Sequence, residues 1–252
     1  MEDNLKNIAM AILKIDKVSE VMLQNHVLIP VVSRLGIKAG VENKTVEDVC
    51  RENGLHPDFF LAVVNVFLYG AFDAVEDIRL FNVLKCLDYI RKSHKDFIVQ
   101  LKNIERHIRL LVNDGNAQYM SLIFSLFNEY KEELSSLIGK EESLFLPYVN
   151  NVYELFFSPD YQPIEGDVAG ALSVFVSEYN DVNEKLDDLK NILIKYVQGD
   201  YDENIFYGVI FALDRLQRDI NATELIELKV LEPMVAKMER EITERVSKMQ
   251  GR

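Results

Sequence analysis

Glycine and proline are scarce in this chain, 11 and 6 among 252 residues, and no segment alternates β-branched with polar residues between turn signals. A β-sheet therefore has little to be built from, and the expected class is all-α. Cysteine is scarcer still. Cys50 and Cys86 are too few for a disulfide framework or a four-thiolate metal site, and both are expected to be buried thiols. Long apolar runs are also missing: the longest, residues 59–72, is interrupted by Asn65 and falls short of the roughly 20 residues a membrane span needs. Residues 1–16 mix charges with aliphatics and lack the basic start and unbroken apolar core of an export signal. The expectation is a cytoplasmic protein with no membrane partner. Positive charge is in deficit, 28 basic against 41 acidic residues, and a net charge of -13 repels phosphate backbones and anionic lipids. Nucleic acid is not expected as a partner.

What is present is 48% apolar residues, ample for a core. Turn signals recur at Gly36, Gly40, Asn53-Gly54 and Pro57, so residues 1–75 are expected to form a small N-terminal module of short helices, with a joint near 70–82. Within it, Thr45-Val-Glu-Asp-Val-Cys50 and Pro57-Asp-Phe-Phe-Leu-Ala-Val-Val-Asn-Val-Phe-Leu68 imitate a DNA-binding helix-turn-helix. The second segment has no Lys or Arg to reach phosphates and base edges, so a packing role is expected instead. Residues 83–245 hold four long helical segments separated by turn clusters at Asn113-Asp-Gly115, Ser158-Pro-Asp-Tyr-Gln-Pro163 and Gly199-Asp200. Short connections between such helices predict an up-down four-helix bundle.

The apolar stripes repeat at spacings of three and four, as bundle cores require. They read Leu87, Ile90, His94, Phe97, Leu101, Ile104, Ile108, Leu111 on the first helix and Phe127, Tyr130, Leu134, Leu137, Glu141, Leu144, Tyr148 on the second. The third gives Leu172, Phe175, Tyr179, Val182, Leu186, Leu189, Leu193, Tyr196, and the fourth Leu213, Leu216, Ile220, Thr223, Glu227, Val230, Met234. His94, Glu141, Tyr179, Thr223 and Glu227 interrupt the stripes with groups that hydrogen-bond or ligate. A carboxylate buried alone costs several kcal/mol, so two core-facing glutamates call for a counter-charge, a shared proton or a metal. Glu142 and Glu224 flank the stripe and are expected to be solvated.

An internal repeat reinforces this pattern. Leu137-Ile-Gly-Lys-Glu-Glu-Ser-Leu-Phe-Leu-Pro147 aligns without gaps on Thr223-Glu-Leu-Ile-Glu-Leu-Lys-Val-Leu-Glu-Pro233, so that Glu141 meets Glu227 and Pro147 meets Pro233. The first and third helices align with His94 over Tyr179. A duplicated hairpin of this kind places equivalent side chains on either side of a central point, as carboxylate-bridged metal pairs do in helix bundles.

The Glu141-Glu-Ser-Leu-Phe-Leu-Pro147-Tyr segment and Ser93-His-Lys-Asp-Phe97 resemble the hemerythrin-like (HHE cation-binding) family. The order of elements, with Arg34-Leu-Gly-Ile37 and Lys44-Thr-Val-Glu-Asp-Val-Cys50 ahead of the bundle, further resembles the iron-sulfur cluster repair di-iron proteins. The resemblance covers nearly the whole chain from about residue 17. It implies four histidine positions and two bridging glutamates around a di-iron centre. Carried over by position, His94, Glu141 and Glu227 are retained, while Leu137, Tyr179 and Thr223 stand where histidines are expected. No histidine follows His107, which lies on a different helix face from His94. The paired cysteines of the repair proteins' N-terminal module are absent.

Two readings of these residues are open, and a third concerns the space the missing imidazoles leave. In the first, the di-iron site has degenerated, the polar groups close a hydrogen-bonded network without a cofactor, and the protein is non-catalytic, serving regulation or a protein partner in oxygen, nitric oxide or iron stress. In the second, His94, Glu141, Tyr179 and Glu227 still hold one or two irons in a protein that senses or repairs under nitrosative or oxidative stress. In the third, the bundle core binds a small molecule. The expectation favours the metal-free core, because Leu137 offers no ligand atom.

Overall fold

In the computed structural model the described residues are 11–70, 83–113, 115–157, 171–197 and 201–250, with side chains described in all of these except 171–181, 246 and 248–250. They are predominantly helical. Among them no strand forms, and one isolated antiparallel bridge joins Lys17 and Thr45. The expected joint at 70–82, the turns at 158–163 and 199–200, and the side chains of Leu172, Phe175 and Tyr179 lie outside the described residues.

The elements are α1 (Val18–Gln24), α2 (Leu28–Arg34), α3 (Val46–Glu52), α4 (Pro57–Tyr69), α5 (Val83–Leu110), α6 (Ala117–Lys140), α7 (Leu146–Phe157), α8 (Ala171–Tyr196), α9 (Glu203–Ile226) and α10 (Glu232–Gln250). Two π-helical turns, Glu141–Phe145 and Glu227–Leu231, join α6 to α7 and α9 to α10. By contact the chain forms two compact units, one of Met1–Lys92, Tyr148–Glu165 and Leu225–Arg252, the other of Ser93–Pro147 and Gly166–Glu224. Among the described residues, the boundaries at 92–93, 147–148 and 224–225 fall inside helical segments.

In the first unit, the local chemistry sets the helix ends. Thr45 caps α3 by accepting from the Asp48 amide at 3.2 Å, and Pro57 occupies the first turn of α4, where a missing N–H costs nothing. Gly70 ends α4 in the left-handed region at φ 62°, which side-chain-bearing residues rarely adopt. Helix α4 is apolar on every side, and none of its residues is exposed. It packs as a core helix, most of its side chains buried. Its buried Asn65 is satisfied on both ends: the Ile12 amide donates to Oδ1 at 2.8 Å and Nδ2 donates to the Ile12 carbonyl at 3.2 Å. That pair fastens the chain's early segment to the core. Lys229 Nζ donates to the Gly70 carbonyl at 2.6 Å, and Arg245 donates to the Phe156 carbonyl at 2.7 Å while lying over its ring.

The second unit is built from long amphipathic helices. In it the predicted stripe from His94 to Leu111 is buried, and so are Val182, Leu186, Leu189 and Leu193 on α8 and Leu213, Leu216 and Ile220 on α9; Leu87 and Ile90, also buried, belong to the first unit. Each such side chain contributes about 1.5–3 kcal/mol by leaving water. Three expectations fail. Leu144 is 58% exposed and Phe145 takes its place in the core, because the π turn inserts one residue per turn and rotates everything after Glu141. Tyr148 is half-buried and its hydroxyl donates to Glu239. Tyr196, at the end of α8, is exposed.

Candidate metal centre

Both π turns begin at the aligned glutamates, Glu141 and Glu227, and both end just before a proline, Pro147 and Pro233. The chemistry of proline accounts for the pairing. Without an N–H it cannot bond to the carbonyl four residues back, and its ring crowds that carbonyl. A wider turn relieves the clash: Leu146 N–H bonds to the Glu141 carbonyl and Glu232 N–H to that of Glu227, each spanning five residues. Wide turns of this type recur at functional sites because they re-aim one side chain inside an otherwise regular helix. Here each carries a glutamate inward, leaving Glu141 0% and Glu227 2% exposed.

On α5, His94 is 2% exposed and packs beside the Phe97 ring. Its two nitrogens face two carboxylates. Nε2 lies 2.9 Å from Glu141 Oε2, and Nδ1 lies 2.9 Å from Glu142 Oε1. Burial favours the neutral ring, but the hydrogen bonds and charges of Glu141 and Glu142 outweigh it and hold the imidazole pKa above its ordinary value. Glu142 was expected in solvent; it is instead half-buried with its carboxylate on His94. Glu224 is also half-buried, and burial together with the Glu141 charge raises its carboxyl pKa.

His94, Glu141 and Glu227 each offer one ligand atom, and these atoms all lie within 4.8 Å of one another. Atoms bound to one ion at about 2.1 Å stand about 3–4 Å apart, close to the spacing within this group. One imidazole and two carboxylates suit a borderline or hard divalent ion such as iron(II) or manganese(II). The three remaining positions of the predicted set fare differently. Leu137 is buried and supplies only hydrocarbon. Thr223 is buried, and its hydroxyl donates to the Asp219 carbonyl one turn back on the same helix at 2.9 Å, which spends its proton within the helix and leaves it only lone pairs to offer. Tyr179 lies on α8 with its side chain outside the described residues.

Sequence reasoning missed one group at this site, Glu142, which could have been found from the Glu-Glu doublet, since a wide turn starting at the first brings the second toward the same partner. Cys86 is buried, and burial together with the Glu227 charge pushes its thiol above the usual range, which makes it a poor ligand or nucleophile. The chain matches no model of a known protein family and no curated protein.

Proposed function

We propose that the chain is a metal-binding helical protein whose His94, Glu141 and Glu227 hold one divalent transition-metal ion, iron before others, as the remnant of a hemerythrin-like di-iron site in an up-down four-helix bundle over residues 83–245. The observation that carries this reading is the gathering of three buried ligand-type side chains within 4.8 Å. Glu142 adds to it. A ligating histidine ordinarily donates its second N–H to a carboxylate, and Glu142 Oε1 is placed to receive that bond from Nδ1, leaving the Nε2 lone pair for an ion. Bound there, iron would supply reversible binding of oxygen or nitric oxide or a one-electron redox change. The protein's own groups would orient the imidazole and hold two carboxylates together in a dry interior. Such a site suits sensing in oxygen, nitric oxide or iron stress better than turnover, because few donors remain.

A second reading is favoured by one distance. His94 Nε2 already lies 2.9 Å from Glu141 Oε2, so a protonated imidazole clasped by Glu141 and Glu142 satisfies the core without an ion, and the protein then acts through a partner. Metal analysis separates the two. Protein purified without oxygen from iron-rich medium is expected to carry about one iron per chain, lost in Glu141→Ala and Glu227→Ala. Absence of iron, zinc, manganese and copper from folded wild type after reconstitution would sink the metal reading.

A further inference from the structure

Each core glutamate is followed at the same distance by a proline, Glu141 by Pro147 and Glu227 by Pro233, and each pair brackets a π turn. Residues in π turns are well under 1% of those in globular proteins, so two of them at matched places are not accidental. Two other prolines among the described residues, Pro30 and Pro57, stand in the first turns of α2 and α4, where a missing N–H costs nothing. Pro147 and Pro233 instead stand inside long helical runs, where a proline ordinarily destabilises. Pro147 offers no compensating burial, because it is exposed. A residue that breaks a local rule without packing in return points to a function served through the backbone.

That function is visible at His94, in the same unit. Successive side chains of an α-helix point about 100° apart, and residues that share a partner are three or four apart. Glu141 and Glu142 are successive, yet each places a carboxylate oxygen 2.9 Å from one nitrogen of the same imidazole. A wider turn sets neighbours closer in angle, and this one starts at Glu141, whose carbonyl accepts the Leu146 N–H. The widening also marks the burial pattern: Phe145 is 4% exposed and Leu144 58%. An unwidened helix would reverse that pair, as the three-four spacing of the stripe predicts.

We propose that Pro147 is a positioning residue: by withholding an N–H it keeps the Glu141–Phe145 turn wide, and the wide turn sets Glu141 and Glu142 on the two nitrogens of His94. Its effect on metal affinity rests on the metal reading, while its effect on helix register does not. The test is Pro147→Ala in the whole chain. Thiol labelling reads the register without metal. Leu144→Cys is expected to label several-fold more slowly in the Pro147→Ala background than with the proline present, and Phe145→Cys several-fold faster, while Cys50 and Cys86 stay buried and silent. Restoring the N–H should raise the melting temperature by a few degrees, while cobalt(II) affinity, measured by chelator competition, falls about 10–100-fold. These opposite signs separate positioning from support of the fold. If Pro147→Ala does not fold, Pro147→Gln restores the same N–H at the exposed position and takes its place. If wild type binds no ion, the metal reading fails, and the proposal is then decided by the labelling together with the His94 ring nitrogen shifts, which should move in Pro147→Ala. Unchanged labelling, a reversed register that leaves both affinity and ring shifts unchanged, or stability and affinity falling together would each overturn it.

Discussion

Removing the Glu142 carboxylate isolates its effect on His94 from the fold. Its side chain is 37% exposed, so Glu142→Ala leaves no cavity and no buried charge, and the loss in stability of the metal-free protein should be about 1 kcal/mol after allowing for solvent screening. Its effect on the ion should be larger. The 2.9 Å contact from Nδ1 fixes which ring nitrogen carries the proton. Without it, both tautomers and a flipped ring become accessible, and metal affinity is expected to fall by about 10–100-fold, or about 1.4–2.8 kcal/mol. Glu142→Gln keeps a neutral carbonyl acceptor for Nδ1–H and should fall between wild type and Ala. Competition for cobalt(II) or iron(II) against a coloured chelator measures the affinity, and nitrogen chemical shifts of the His94 ring report the tautomer. Equal affinities for wild type and both variants would refute the assigned role of Glu142 and leave the His94 contact as packing.

Other expectations follow from the same geometry. Asn65→Leu breaks both hydrogen bonds to Ile12 while keeping volume, and should cost about 2 kcal/mol and speed proteolysis ahead of α1; unchanged cleavage would count against that tether. Cys50 is buried with its thiol pushed up to about 12, from 9.0, so above pH 9 the unfolded chain releases a proton that the folded chain keeps. Stability from this group is intact below pH 9 and should fall by about 1.4 kcal/mol per pH unit between 9 and 12, with Cys86 adding in the same direction. Denaturant titrations of wild type and Cys50→Ala measure the difference, and in the native protein neither thiol should react with a disulfide reagent before unfolding. Leu137→His, Tyr179→His and Thr223→His together are expected to raise bound iron from one to two per chain with di-iron absorption; a folded triple variant without extra iron would count against the alignment to hemerythrin-like proteins.

Local pattern was enough to specify the helices, the burial of His94, Leu137, Glu141, Thr223 and Glu227, and the pairing of the two Glu-to-Pro segments, because helical period and proline chemistry act over a few residues and are written in spacing alone. It could not specify the register beyond Glu141. Whether the helix widens there depends on the balance between a proline's lost bond and the packing gained by turning Phe145 inward in place of Leu144, and only the assembled core sets that balance. The same holds for partners. Thr223 reads as a site donor until its own helix offers a carbonyl, and Glu142 reads as solvated until α5 brings His94 alongside. Which polar group meets which is decided by distances between segments far apart in the chain, and those distances exist only once the core has closed.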